Sequence, residues 1–266
     1  MTENLLTAEN YFSPENTMRY MGSSQFKSFM HCEAAALAEI RGECIHEETD
    51  ALLIGSYVDA HYEGTLDIFK AQHPDLFTRS GELKAQFRHA EYMIQRAERD
   101  ELFQKFMSGQ KQVIMAGEIA GSPYKVKIDS YHSDACIVDL KCVRDFKPVW
   151  NEEKGFRQHF IDYWGYTLQG AIYREIVRQN TGKELPFYIA AITKEKEPDI
   201  RVYWIPDEVL DDRLEEIKAL TPRIQRIKDG TLTPQSCGCC RWCRFSKVLT
   251  EPVNYLEELE VYDGGE

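Results

Sequence analysis

Residues 113–146 read VIMAGEIAGSPYKVKIDSYHSDACIVDLKCVRDF, and this stretch decides the fold. Apolar residues alternate or cluster in three runs, with Gly121-Ser122-Pro123 and His132-Ser133-Asp134 as turn chemistry between them. Such a pattern predicts a small antiparallel sheet. Three acids sit on the predicted strands, Glu118, Asp129 and Asp139, and Lys141 follows the last by two residues. Side chains two apart on a strand point to the same face. Their neighbours Ile137, Val138, Leu140, Cys142 and Val143 are apolar. A charge in that setting needs a partner or a metal, because burying it alone is costly.

Metal-assisted phosphodiester hydrolysis uses such a set. Mg²⁺ takes oxygen ligands, commonly one or two carboxylates with water and substrate phosphate, and lowers the pKa of bound water. A lysine beside the carboxylates can orient the water and stabilise developing negative charge. A buried Asp–Lys ion pair that only holds a sheet together would show the same D-x-K tripeptide. Asp129 on the preceding strand, with Glu118 upstream, shifts the reading toward a site.

The pattern KIDSY–HSDA–CIVDLKC resembles the core of the PD-(D/E)XK nuclease superfamily, in its RecB/RecE-like exonuclease branch. Asp129 matches the first acid of that pattern, Asp139 the second and Lys141 the lysine. The resemblance implies an α/β fold, a central mixed sheet flanked by helices, and Mg²⁺- or Mn²⁺-dependent DNA cleavage leaving a 5′-phosphate and a 3′-hydroxyl. Two further elements extend it. RecB-like nucleases carry a helix with a glycine and a metal-binding histidine ahead of the acids, which Gly55 and His61 match. They carry a Q-x-x-x-Y helix after the D-x-K strand, which Gln169 and Tyr173 match. The implied metal ligands are His61, Asp129 and Asp139, with Glu118 contributing through water. Lys141 would position the attacking water, and Gln169 and Tyr173 would support the site or the scissile phosphate. Taken by itself, His61 could equally be a satisfied core histidine, and Gln169 the edge of an amphipathic helix.

Outward from this centre, three helical regions are expected on the N-terminal side, about residues 20–110. Ser23 or Ser24 can cap a helix carrying Phe26, Phe29, Met30 and Ala34 at helical spacing, with Cys32 on it as a buried small residue. A second helix covers ALLIGSYVDAHYEGTL, and an amphipathic helix pair falls within 73–110. The catalytic core is expected at about 111–206. Within it, the stretch from Phe156 to Pro186 reads as one helix with a stop at Gly182, followed by a hairpin of strands at 187–192 and 200–205. A charged helix and a cysteine cluster fill 207–250. All of this is expected to form one domain over 1–266.

The cluster, Ser236 to Phe245, reads SCGCCRWCRF. Cys237, Cys240 and Cys243 form C-x2-C-x2-C, a spacing that wraps three thiolates round one centre. Cys239 is then spare, and Cys32 is the candidate fourth ligand. A subset of RecB-like nucleases holds a [4Fe–4S] cluster with one N-terminal and three C-terminal cysteines, so iron–sulfur is the first expectation. Zn²⁺ in a Cys₄ site is second, and a metal-free thiol-rich tail third.

The chain has 266 residues, 43% of them apolar, and a formal net charge of −12. That balance argues against a broad non-specific nucleic-acid surface. Lys125, Lys127, Lys141, Arg144 and Lys147 nevertheless cluster near the candidate site, either as phosphate contacts or as a solvated strand face. No basic-then-apolar leader and no membrane-length apolar run occurs, so a cytoplasmic location is expected. The expected partner is DNA, as linear duplex or single strand, with a single-strand annealing protein as a further candidate. An endonuclease of the same superfamily and a non-catalytic DNA-binding or metal-cluster protein are the alternatives.

Overall fold

A computed structural model describes residues 6–44, 49–152, 154–252 and 254. In chain order its helices begin with α1 (Pro14–Arg19), α2 (Ser23–His31), α3 (Glu33–Ile40), α4 (Asp50–Glu63), α5 (Leu66–Gln72), α6 (His89–Glu98) and α7 (Glu101–Phe106). Strands β1 (Gln110–Ile119), β2 (Ser122–His132) and β3 (Cys136–Val143) follow, then a small pair, β4 (Val149–Asn151) and β5 (Phe156–Gln158). The chain continues through α8 (Phe160–Tyr163), α9 (Tyr166–Thr181), β6 (Phe187–Thr193), β7 (Ile200–Ile205), α10 (Asp207–Lys228) and α11 (Arg241–Phe245).

The main sheet has the order β1-β2-β3-β6-β7. Every neighbouring pair is antiparallel except β3 and β6, which run parallel. Parallel neighbours need a long crossover, supplied here by the segment containing α9. The apolar pattern of β3 explains its central place: Ile137 and Val143 pack into one core with α2, α3, α9 and α10, while Cys136, Val138 and Leu140 pack into another with α4, α6 and α7. A strand covered on both faces reads as a nearly continuous apolar run. The result is the α/β architecture expected, a mixed sheet between helical layers.

Two local features differ from the sequence expectations, and both lie beside functional residues. The stretch from Phe156 to Pro186 is not one helix. It forms β5 and the short α8 before α9 starts, because Gly165 takes a left-handed conformation (φ 63°) that ends the preceding turn. Cys32 does not sit within a helix either. It is extended (φ −160°, ψ 110°) at the break between α2 and α3.

Helix α9 lies close on the sheet because Gly170 has no side chain. A Cβ there would come within 2.6 Å of the Phe187 ring and 2.9 Å of Leu210. That approach brings Gln169, the preceding residue, down onto β3.

Candidate active site and cysteine cage

The acids meet where two strands part. The β2–β3 ladder runs through His132↔Cys136, Tyr131↔Ile137 and Ser130↔Val138, then stops. Asp129 and Asp139 would be the next opposed pair. Instead, Asp129 Oδ2 accepts the backbone N–H of Leu140 at 2.8 Å. On its other side, the β1–β2 ladder omits the Gln112/Asp129 pair, Gln112 being held at φ 53°, and Gln112 Nε2 donates to Asp129 Oδ1 at 3.3 Å. Side-chain bonds thus replace the ladder on both flanks of Asp129 and hold its carboxylate in the fork.

Asp139 is almost wholly buried. Its Oδ1 accepts a 2.6 Å hydrogen bond from Gln169 Nε2. Its Oδ2 lies 2.5 Å from Lys141 Nζ, so the lysine ammonium is its close partner. Lys141 Nζ also stands over the Tyr166 ring, 5.1 Å from its centroid. Tyr173 donates to the Lys127 carbonyl at 3.0 Å. It therefore fixes the backbone of β2 two residues before Asp129.

The charges are strongly coupled. Burial, and then the negative charge of Asp139, pushes the Asp129 carboxyl well above the usual range. Burial alone would depress Lys141, but Asp139 and Asp129 outweigh it and keep the ammonium above the ordinary lysine range. Lys141 is a firm cation here, not a base.

Two of the expected ligands are not brought to this centre. Glu118 is exposed near the far end of β1, opposite Pro123. Six residues of strand separate Pro123 from Asp129, about 20 Å at strand rise. The Glu118 backbone is bracketed by the Gln179 side chain at 2.9 and 2.7 Å. His61 sits on α4 but turns away, its Nε2 2.9 Å from Glu98 Oε1 on α6. In its place α4 presents Asp59 and Glu63, which line the small cleft beside Asp129 together with Tyr62, Gln112 and Leu140. Helix geometry is the reason. Asp59 and Glu63 are four apart and share a face, whereas His61 is about 200° round from Asp59. Asp59 also lies four residues after Gly55, whose bare backbone packs near Cys142 of β3, so the spacing G-x-x-x-D was the available signal. The cleft walls, together with Asp139 and Glu63, raise the Asp59 carboxyl, with Lys141 opposing. Solvent still reaches this side chain, and that tempers the rise.

Of the lysines near the site, Lys125 neither meets solvent nor is placed for phosphate. It is buried, donating to the carbonyls of Tyr11 and Asn16. Lys127 Nζ lies 3.5 Å from Glu63 Oε1.

A divalent cation fits this donor set. The carboxylates of Asp59, Asp129 and Asp139 are close enough to act on one another's charge, and hard oxygen ligands suit Mg²⁺ or Mn²⁺.

The cysteine cage is a second, separate centre. The Sγ atoms of Cys32, Cys237, Cys240 and Cys243 all lie within 4.8 Å of one another, Cys32 and Cys243 being 3.5 Å apart. Cys239 is exposed and outside this set, its sulfur 3.7 Å from that of Cys237. The break at Cys32 delivers the first sulfur. The segment before α11 is docked onto α3 by Ala34 N–H to Gln235 O (3.0 Å), Gln235 N–H to Glu33 Oε2 (2.7 Å) and a two-pronged Arg223–Glu33 pair (2.6 and 2.9 Å). Backbone N–H groups of Cys239 and Cys240 lower the Cys237 thiol to about 6, which favours the thiolate that binds metal.

Residues 22–246 match the family model of a PDDEXK-like domain of unknown function, DUF3799. The chain belongs to this family. The DUF3799 match takes in the fork, α9 and all four sulfurs of the cage. A solved structure from Eubacterium rectale, titled as a "putative exonuclease", is 46% identical, with a TM-score of 0.89 over 96% of this chain and 98% of that one. A second solved structure, SSO0001, is 14% identical with a TM-score of 0.30 and carries no argument. No curated protein matches. Among the described residues, no helix is long and apolar enough to cross a membrane.

Proposed function

We propose that this DUF3799 chain is a metal-dependent deoxyribonuclease that digests DNA from an end. The observation that carries the reading is the fork itself: Asp129 and Asp139 held at the parting of β2 and β3, with Lys141 and Gln169 on the second acid. The E. rectale protein's name supports the exonuclease mode, and the resemblance of the motifs supports a place in recombination or repair.

Asp129 and Asp139, with Asp59 from α4, would hold Mg²⁺ or Mn²⁺. When bound, the cation supplies an acidified water and neutralises charge on the phosphoryl oxygens. Gln169 orients Asp139 through its 2.6 Å bond. Lys141, held as a cation, orients the water and stabilises negative charge building on the phosphate. Tyr173 positions β2, and so Asp129, from behind. Hydrolysis would leave the 5′-phosphate and 3′-hydroxyl ends that the family resemblance implies.

For the cage, the sulfur separations support a single tetrahedral ion ahead of the iron–sulfur cluster. At a Zn–S length of about 2.3 Å, tetrahedral sulfurs stand about 3.8 Å apart, close to the 3.5 and 3.9 Å found for Cys32–Cys243 and Cys237–Cys243. A four-iron core interposed between the sulfurs would spread them further.

The test is degradation of end-labelled duplex and single-stranded DNA with Mg²⁺, beside a closed circle and the Asp139→Ala and Lys141→Ala variants. Loss of linear DNA alone, abolished in both variants, is expected. Cutting of the circle would make the protein an endonuclease, and no cleavage by metal-replete protein would end the nuclease reading.

A further inference from the structure

Beside the acid cleft lies a much larger groove of about 1120 Å³, bounded by α2, α3, the β4–β5 pair, α8 and α11. It exceeds the range of about 300–1,000 Å³ typical of small-molecule pockets. None of Asp59, Asp129, Asp139 or Lys141 lines it. The two regions nevertheless meet at one ring. Lys27, in the groove wall, places its Nζ 5.3 Å from the Tyr166 centroid, and Lys141 places its own 5.1 Å from the same centroid.

The groove's lining is unusual for a surface. Trp150, Trp164 and Phe245 are 51%, 54% and 81% exposed, and Tyr163 and Trp242 join them along the walls. Tyr163 and Trp164 stand edge to face, 4.8 Å between centroids, and Lys27 Nζ bonds the Trp164 carbonyl at 3.2 Å. The charges between the rings are mixed: Lys27, Lys154, Arg213 and Arg241 on one hand, Glu39, Glu43, Glu152, Asp162 and Glu216 on the other. A groove meant for a duplex needs a basic track for phosphates, since a duplex keeps its bases stacked inside and shows only backbone and groove edges. The interspersed acids leave no continuous track of that kind, whereas open aromatic faces between scattered cations suit bases that are already unpaired.

We infer that the groove holds an unpaired DNA strand by stacking its bases on Trp150, Trp164 and their aromatic neighbours, and feeds that strand past Lys27 and Tyr166 to the acid fork. This deepens the nuclease reading and rests on it for the strand's destination. It also gives the cysteine cage a task. Cys32 and Cys240 belong to the groove lining, as does Trp242 on α11, so a metal gathering the four sulfurs would fix one aromatic wall. The groove's lysines and arginines would neutralise phosphates along the strand, so its hold on DNA falls as salt rises.

The experiment measures affinity by anisotropy, without divalent cation, for a labelled single-stranded 20-mer and a blunt duplex of the same sequence across a salt series. Full-length protein with its cage metal retained is compared with Trp150→Ala, Trp164→Ala and Trp164→Tyr. Each alanine is expected to weaken single-strand binding by about 5- to 100-fold, the worth of one stacked base, while leaving the weaker duplex affinity in place. Trp164→Tyr, which keeps a ring, should recover much of the loss. Unchanged single-strand affinity in the alanine variants, equal loss for duplex, or no recovery with tyrosine would each overturn the proposal; the first would turn the groove over to an apolar protein partner. Hydrolysis of a thymidine nitrophenyl phosphodiester by the wild-type protein with Mg²⁺, read separately, reports whether the fork is a nuclease at all.

Discussion

The Asp129 carboxylate accepts the backbone N–H of Leu140 at 2.8 Å, so one side chain both opens the sheet and offers charge at the opening. The two roles separate by substitution. Asp129→Asn keeps an acceptor for Leu140 but removes the charge, and should cost about 10²–10³-fold or more in turnover with little change in melting temperature. Asp129→Ala should lose the same activity and also about 1–3 kcal/mol of stability, because it strands the Leu140 N–H. Full activity in the asparagine variant would show that the charge has no catalytic role.

Asp59 and His61 on α4 make opposite predictions. Asp59→Asn should depress Mg²⁺-dependent cleavage strongly and raise the Mg²⁺ concentration for half-activity. His61→Ala should change cleavage by no more than a few-fold and stability by about 1 kcal/mol or less, since its pairing with Glu98 is partly exposed. A dead His61 variant with a healthy Asp59 variant would reverse the assignment.

The raised carboxyls fix a pH dependence. Asp129 and Asp59 hold protons to higher pH in the folded chain than in the unfolded one. The stability this contributes is full below the ordinary carboxylate range and is lost as pH climbs through the raised values. Metal-free protein should therefore melt lower as pH rises from about 5 to about 8. A dication requires ionised carboxylates, so the increase in melting temperature on adding Mg²⁺ should grow over the same window. An increment independent of pH would show that these acids are not the ligands.

Tyr173 supports the site from within the core. Tyr173→Phe leaves the Lys127 carbonyl without its 3.0 Å donor, at about 1–3 kcal/mol, and should lower kcat several-fold through displacement of β2 while leaving the Mg²⁺ requirement unchanged. A variant with normal stability and kcat would remove Tyr173 from the account.

The cage predicts its own content. Purified protein should carry one zinc per chain and no visible charge-transfer band, Cys32→Ser should lose the metal, and Cys239→Ser should keep it. Four irons per chain and a brown colour would restore the iron–sulfur expectation.

Much of this was legible in the residues. The alternation around Asp129 and the apolar run around Asp139 specified the two strands, and the D-x-K spacing placed Lys141 against Asp139, because strand periodicity carries side-chain direction directly. Gln169 came from the Q-x-x-x-Y resemblance, since helical periodicity alone left it on the edge of an amphipathic helix. The motif match fixed the helix but not its rotation: Gly55 packs near Cys142 of β3, His61 pairs with Glu98, and it is Asp59 that lines the cleft beside Asp129. Glu118 shares a strand pair with Asp129, yet how far along the pair it lies depends on the hairpin register, which is set at the Gly121 turn. The aromatic groove had no linear signature, since its rings come from α8, α11 and the β4–β5 pair.

The cage also has a consequence in time. Cys32 emerges early in synthesis, while Cys237, Cys240 and Cys243 follow only after the whole sheet and α10 have been made. A nascent chain can thus build its acid fork before it can close its sulfurs. Capture of an ion at the cage would then come last, and a chain that missed it would leave the ribosome with a formed acid fork and an unfastened flank.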